Sequence, residues 1–290
     1  MGFAVSIDGR VGSPEEVTLK ITDNGFVFGD SAYETLRTYD GRPFELDRHL
    51  ARLRRSIALL GFDLKTSDDQ IKVQIDACLA FARNDESYLR VIVSRGVGDM
   101  TYRFERIAEP TVAMFVKPLE PSNAGLYEKG ASAVIASLRR NPIEALNPAI
   151  KASNLLNNAL ATREAYAKGA FEAILLNTRG EVAEGAGSNV FIVKDSLLLT
   201  PPLSCGLLPG ITRELTLEIA AATSIAHEER VLFPADLQTA DELFITSTLK
   251  ELAPVVTLDG APIGSGQPGP LTARLLASYR ERIKQAQHPE

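Results

Sequence analysis

Along the first 120 positions the apolar residues switch between a period of two and a helical period. The stretch "FAVSIDGRV" (3–11) sets an Asp-Gly pair between two short runs, and "YETLRTYDGRPFEL" (33–46) repeats that arrangement. Each predicts a β-hairpin. After the second, Leu50, Leu53, Ile57 and Leu60 recur at helical spacing, with Asp47 as the expected N-cap and Gly61 as the stop, so an amphipathic helix is predicted over 47–60. Ile71, Ile75 and Leu79 behind "TSDD" predict another. "YLRVIVSRG" and "TVAMFVK" then return to strand, being rich in β-branched residues.

The stretch "KPLEPSNAG" (117–125), with two prolines, an asparagine and a glycine, reads as a connection between domains. The expected division is an N-terminal α+β domain over 1–118, a linker over 119–125 and a second domain over 126–290. The second domain is expected to hold the strand "SAVIASL", a helix from about 153 to 168, and the hairpin "FEAILLN" and "EVAEGAGSNVFIV" joined at "TRG". Strands separated by helices follow. No internal repeat is visible.

Composition changes this picture little. The chain has 290 residues, 45% of them hydrophobic and 23% charged, with a formal net charge of -6, so it carries no basic footprint for nucleic acid. The one basic cluster, "RHLARLRR", reads as the polar side of the helix over 47–60. Cys78 and Cys205 are the only cysteines, far apart and in no CxxC pair, and the three histidines are scattered, so neither a disulfide framework nor a zinc site is expected. No apolar run reaches the length of a membrane span, and the N-terminus lacks signal-peptide form. A soluble cytoplasmic protein is the expectation. "MGFAVS" matches a myristoylation pattern but has no polybasic neighbour.

Candidate chemistry lies elsewhere. "GSGQPG" (264–269) spells a dinucleotide motif, but prolines 268 and 270 break its turn and no βαβ unit surrounds it, so it reads as the loop before the last helix. In "GLLPGITREL" (206–215), Pro209 and Gly210 stop one segment and Thr212 opens a helical one. The N–H groups of Ile211 and Thr212, with the Thr212 hydroxyl, would face one small anion such as a phosphate, unless Thr212 is a plain cap. "ITSTLKEL" reads similarly, with Ser247 and Thr248 before a second helix start. Glu184 stands in the small-residue interruption of "EVAEGAGSNVFIV"; buried, it needs a cationic ring nitrogen or an arginine, and otherwise it is a solvated turn residue. Tyr88 and Arg90 share one strand face, suited to gripping a carboxylate or to facing water. Lys151, in "NPAIKASNLLNNAL" (147–160), stands at the expected helix start with no acid within four positions. There the helix dipole disfavours a cation. A surface lysine is one reading, and a Schiff-base lysine the other.

A carbonyl-reactive lysine, a phosphate cradle, a carboxylate for a ring nitrogen and an arginine for a substrate carboxylate together make the parts of pyridoxal phosphate chemistry. The same residues resemble the class IV aminotransferases, the fold-type IV pyridoxal phosphate enzymes that include branched-chain aminotransferase, D-amino acid transaminase and aminodeoxychorismate lyase. The resemblance runs through "DNGFVFGDSAYETLR", "RHLARL", "IKASNLL", "EVAEGAGSNVF", "LPGITRE", "STLKELAPV" and "GQPGP", in family order over nearly the whole chain. It implies an α+β, two-domain fold-type IV enzyme with a smaller N-terminal α/β domain and a larger, barrel-like C-terminal domain. By the same resemblance Lys151 matches the Schiff-base lysine, Glu184 the glutamate on the pyridine nitrogen and Arg52 the arginine on the phosphate. Ser188, Ile211, Thr212 and Thr248 match further cofactor contacts, and Tyr33, Tyr88, Arg90 and Leu249 face the substrate. A homodimer or an assembly of dimers is implied, with residues near the N-terminus completing the neighbour's site.

Within the family, "YLR" (88–90) looks like the branched-chain enzymes, and the Arg-x-His carboxylate trap of the D-amino acid enzymes is missing from "SRGVGDMTYR". Leu156 and Thr35 stand where branched-chain enzymes usually have tyrosine and glycine, and "SRGVGDMTY" is closer to the lyase loop. The resemblance therefore implies amino transfer between a branched-chain L-amino acid and a 2-oxo acid such as 2-oxoglutarate. D-amino acid or (R)-amine transamination, the lyase reaction, and a binding protein that has lost chemistry stand as alternatives.

Overall fold

In a computed structural model of the chain, residues 2–103, 109–120 and 125–287 are described. They fall into two compact units, Met1–Glu120 with Ile150–Asn154, and Pro121–Ala149 with Leu155–Glu290. Residues 121–124 of the expected linker lie outside the described residues.

The first unit runs β1 (Ala4–Ile7), β2 (Arg10–Gly12), α1 (Asn24–Val27), β3 (Ser31–Tyr39), β4 (Arg42–Pro43), α2 (Leu46–Leu59), α3 (Asp68–Ala82), β5 (Ser87–Ser94) and β6 (Thr111–Pro118). Its strands form one six-stranded sheet in the order β2-β1-β6-β5-β3-β4. Both predicted Asp-Gly turns are present, with φ of 51° and 87° at Asp8 and Gly9 and of 50° and 72° at Asp40 and Gly41. Two positive φ values in succession give the turn whose twist suits a two-residue hairpin. One face of the sheet packs Leu36, Leu89, Val91 and Met114 against Leu50, Leu53, Ile71 and Ile75 of the two long helices. Strand alternation leaves Tyr33, Thr35, Tyr88, Arg90 and Phe115 on the other face.

Helix α2 begins at Leu46 with Glu45 as its cap, ahead of the Asp47 cap expected from the sequence. The basic cluster is not wholly its polar side. His49 and Arg52 point inward with Leu50 and Leu53, because a buried carboxylate, Glu34, awaits them there. Helix α3 is closed by a capping box between Ser67 and Gln70.

The second unit runs α4 (Leu126–Lys129), β7 (Ala131–Arg139), α5 (Leu156–Ala167), β8 (Glu172–Leu176), β9 (Val182–Gly185), β10 (Asn189–Lys194), β11 (Leu197–Thr200), α6 (Ile211–Ala222), β12 (His227–Glu229), α7 (Pro234–Gln238), β13 (Glu242–Ser247), β14 (Glu251–Leu258), β15 (Ala261–Pro262) and α8 (Pro270–Gln287). Its nine-stranded sheet has the order β12-β11-β10-β13-β14-β7-β8-β9, with β15 paired to β14. In a flat sheet β9 and β10 would lie about 24 Å apart, five strand spacings. Only residues 186–188 join them, a reach of about 14 Å between Gly185 and Asn189. The sheet therefore has to curl, and Gly185 pairs with Ser188 across the junction. Small residues let α5 pack closely, with Ala161 and Ala165 against Val134, Ala173 and Leu175.

Two expected helix starts are corrected here. The helix expected from 153 begins at Leu156, so Lys151 lies five residues before it. "ITSTLKEL" contains no helix: β13 ends at Ser247, residues 248–250 turn, and β14 begins at Glu251. "GSGQPG" is the loop before α8, whose first residue, Pro270, has a fixed φ that suits a first helical turn.

Candidate active site

In the first unit, residues 150–154 run antiparallel beside β3. Tyr33 N–H donates to the Lys151 carbonyl at 2.9 Å, Ser153 N–H donates to Ser31 O at 2.9 Å, and Ala32 bridges Ala152. The Lys151 N–H donates to Ser56 Oγ of α2 at 3.1 Å. Main chain and helix together thus fix the lysine, and the helix-dipole argument for it falls away, since that field decays within the first turn of α5. What the amine meets instead is the Tyr33 ring. Lys151 Nζ lies 4.4 Å from the Tyr33 ring centroid, and the Arg90 guanidinium lies 4.6 Å from the same ring. Tyr88 and Phe115 complete the frame around Arg90 at 5.9 and 6.0 Å. Arg90 Nε is buried without a partner. A buried donor left unpaired costs free energy that an incoming acceptor restores.

Arg52 sits one layer beneath this face. Its Nε and Nη2 donate to the two oxygens of Glu34 at 2.8 and 2.7 Å, and His49 Nδ1 meets the same carboxylate at 2.7 Å. All three side chains are buried. Burial opposes charge on Glu34, yet the Arg52 guanidinium, with hydrogen bonds from Arg52 and His49, brings the carboxyl down to about 2. Burial lowers the His49 imidazole more than its bond to Glu34 raises it. The ring is therefore neutral at pH 7 and donates its Nδ1–H to Glu34.

In the second unit, Glu184 of β9 is 5% exposed. Its Oε1 accepts from Arg140 Nε at 2.6 Å and its Oε2 from the Leu208 N–H at 2.9 Å. Of the two partners left open by the sequence, this is the arginine, and each oxygen keeps a further lone pair for another donor. The Leu208 turn is held from its other side by Asn189 Nδ2, which donates to Leu208 O at 3.0 Å. A side chain at Gly210 would put its Cβ 1.9 Å from Asn189 Oδ1, so only glycine fits as the N-cap of α6. A glycine cap has no side-chain acceptor, which leaves the first amides of α6, those of Ile211 and Thr212, for another ligand. Both residues are buried. Thr248 and Leu249 occupy the half-buried turn between β13 and β14. The Ser188 hydroxyl donates to Glu172 Oε2 at 2.9 Å, and Lys250 Nζ lies 2.8 Å from the same oxygen.

Sequence reasoning missed Glu34, Arg140 and Glu172, which orient Arg52, Glu184 and Ser188, and with them His49 on Glu34 and Asn189 on the Leu208 turn. Glu34 had a signal in its strand phase, an acid on the same face of β3 as Ala32 and Leu36. Among the described residues no group of three or more His, Cys, Asp or Glu could hold a metal ion, and no helix is long and apolar enough to cross a membrane.

The family model for amino-transferase class IV matches residues 31–258. The chain is 37% identical over 278 residues to a putative branched-chain-amino-acid aminotransferase of Methanocaldococcus jannaschii, covering 96% of this chain and 95% of that protein. It is 35% identical to the D-alanine aminotransferase of Bacillus licheniformis, covering 96% of each. Among solved structures it resembles the branched-chain aminotransferase of Thermoproteus uzoniensis with norvaline, at a TM-score of 0.89, 31% identity and 97% and 94% coverage of the two chains. A match over most of the chain, with a mixed α/β fold and a curled second sheet, carries one conclusion: the chain belongs to the class IV aminotransferases and has their fold-type IV architecture.

Proposed function

We propose that the chain is a pyridoxal 5′-phosphate-dependent aminotransferase that moves the amino group of a branched-chain L-amino acid to a 2-oxo acid such as 2-oxoglutarate. The observation that carries this reading is the Arg90 guanidinium, framed by Tyr33, Tyr88 and Phe115 with its Nε buried and unpartnered. A two-stage exchange asks one pocket to take an apolar side chain and then a carboxylate. Aromatic walls suit the first, and a guanidinium grips the second through parallel hydrogen bonds. Similarity at 37% identity to the putative branched-chain-amino-acid aminotransferase supports the same reading.

The residues present fit the cofactor. Glu184 is a buried carboxylate with acceptor capacity remaining, and a glycine-capped helix start offers Ile211 and Thr212 amides to a phosphate. When bound, the cofactor supplies an electron sink for the pair left at the substrate Cα. The Lys151 amine would hold the cofactor through its carbonyl and would carry the proton taken from the substrate Cα. Glu184 would accept from a protonated ring nitrogen, and Arg140 aims Glu184. Ile211, Thr212, Thr248 and Arg52 would hold the phosphate, Ser188 would contact the cofactor, and Glu34 orients Arg52. Tyr33, Tyr88, Arg90 and the Leu249 main chain bind the substrate.

The same reading takes the chain as a homodimer or an assembly of dimers in the cytoplasm, acting on small molecules and neither on nucleic acid nor at a membrane. Two buried, unpaired thiols, both raised by burial to about 11, suit a reducing compartment. One assay tests the function: L-leucine, D-alanine, an (R)-amine and aminodeoxychorismate, each with 2-oxoglutarate or pyruvate. Turnover of L-leucine with 2-oxoglutarate above all other pairs is expected. Activity confined to D-alanine, the amine or aminodeoxychorismate would overturn the substrate assignment.

A further inference from the structure

Two tight turns of the second unit meet on one buried carboxylate. Glu172, at the start of β8 and 3% exposed, accepts from Ser188 Oγ of the 186–188 turn and from Lys250 Nζ of the 248–250 turn, both on Oε2, at 2.9 and 2.8 Å. Lys250 is fastened in two further ways. Its N–H donates to Ser247 Oγ at 3.2 Å, and its carbonyl accepts from Tyr127 Oη at 3.2 Å. The next residue, Glu251, has a φ of 50°, a left-handed conformation that a residue with a side chain holds only when its surroundings enforce it. Arg280 anchors that residue's carboxylate at 2.9 Å. The amide, carbonyl and side chain of one lysine thus clamp the end of a turn whose other members are Thr248 and Leu249. Across the clamp, a Cβ at Gly187 would stand in ordinary contact, 3.7 Å from Lys250 Nζ.

We propose that Lys250 and Glu172 are positioning residues: their ion pair fixes the Thr248–Leu249 turn against the 186–188 turn. Through that spacing they set how tightly the phosphate and the substrate are held, which rests on the cofactor reading given above. Neither side chain touches the reacting atoms. Glu172 is buried while the Lys250 side chain keeps 27% of its exposure; such a pair is a poor source of net stability but a good device for register, because removing the lysine leaves the buried carboxylate without its cation. Truncation of the lysine should therefore have two separable consequences, a stranded carboxylate that lowers stability and an untied turn that loosens binding.

That separation makes the test. In Lys250→Met the melting temperature falls, the dissociation constant for pyridoxal 5′-phosphate rises, and KM for the amino donor rises at least about tenfold while kcat changes far less. In Lys250→Met/Glu172→Gln the stranded charge is gone, so the melting temperature recovers, yet KM and the cofactor dissociation constant stay raised. Lys250→Arg, which keeps the pair, restores both. Hydrogen exchange of the peptide spanning 246–252 is read in the same proteins without cofactor, and faster exchange is expected in the single and double variants. If KM and cofactor affinity recover together with the melting temperature in the double variant, the pair is only structural and the proposal is wrong. Unchanged exchange at 246–252 overturns it as well, whether or not the unmodified chain binds cofactor, whereas failure of the unmodified chain to bind cofactor counts against the cofactor reading alone.

Discussion

Glu34→Gln removes one charge from a site with no solvent access, and its cost can be worked from the structure. Folding lowers this carboxyl from 4.5 to about 2, and at about 1.4 kcal/mol for each decade of acidity that corresponds to about 3 kcal/mol of stability at neutral pH. A carboxyl lowered on folding contributes fully above its unfolded value of 4.5 and loses that contribution as pH falls through about 2. Near pH 3, less than half of that contribution should remain. The amide also leaves Arg52 buried beside a neutral acceptor, which places the loss at pH 7 at about 3 to 5 kcal/mol. Urea unfolding of the unmodified and Glu34→Gln proteins at pH 7 and pH 3 measures it. The gap between the two proteins should narrow by about 2 kcal/mol on acidification. A gap below about 1 kcal/mol at pH 7, or one of equal size at both pH values, would refute the ion-pair account of this network.

Three further outcomes follow from the geometry. Gly210→Ala drives a Cβ to 1.9 Å from Asn189 Oδ1, so it should destabilise the protein by about 1 to 3 kcal/mol and weaken phosphate-dependent cofactor binding, read by equilibrium dialysis. Arg90→Leu should raise KM for 2-oxoglutarate by at least about tenfold while changing that for L-leucine by less than about threefold, since only the oxo diacid uses the guanidinium; steady-state kinetics with both substrates decide it. His49, lowered by burial, contributes stability that is full above 6.5 and lost as pH falls through its lowered folded value, so His49→Gln should flatten the fall in melting temperature between pH 7 and pH 5.

What the chain's pattern revealed and what it hid divide along a physical line. Local signals were legible. The Asp8-Gly9 and Asp40-Gly41 turns need positive φ, which those residues tolerate, and the apolar spacing of α2 and α3 follows from packing one helix face. The strand alternation that set Tyr88 and Arg90 on one side of β5 was equally plain. Signals that depend on distant partners were not. Arg52 and His49 read as polar-face residues because Glu34, which draws them inward, is 18 and 15 positions away. Glu184 could not be told from a solvated residue, since Arg140 and Leu208 lie 44 and 24 positions from it. "ITSTLKEL" resembles a helix cap locally, yet Ser247 and Glu251 are β-paired, and that pairing overrides the local preference. Lys151 is the instructive residue. The reason first given for its importance, a place at a helix start, is absent, while its fixed position beside Tyr33 comes from a strand-like bridge that no periodicity announces.

The central claim concerns that lysine, and reductive trapping tests it most directly. The purified chain is saturated with pyridoxal 5′-phosphate, reduced with borohydride, digested and mapped by mass spectrometry, alongside Lys151→Ala treated identically. The account predicts one phosphopyridoxyl adduct, on Lys151, and no adduct or turnover in the variant. An adduct on another lysine such as Lys250, or a trapped adduct and turnover that survive in Lys151→Ala, would contradict it.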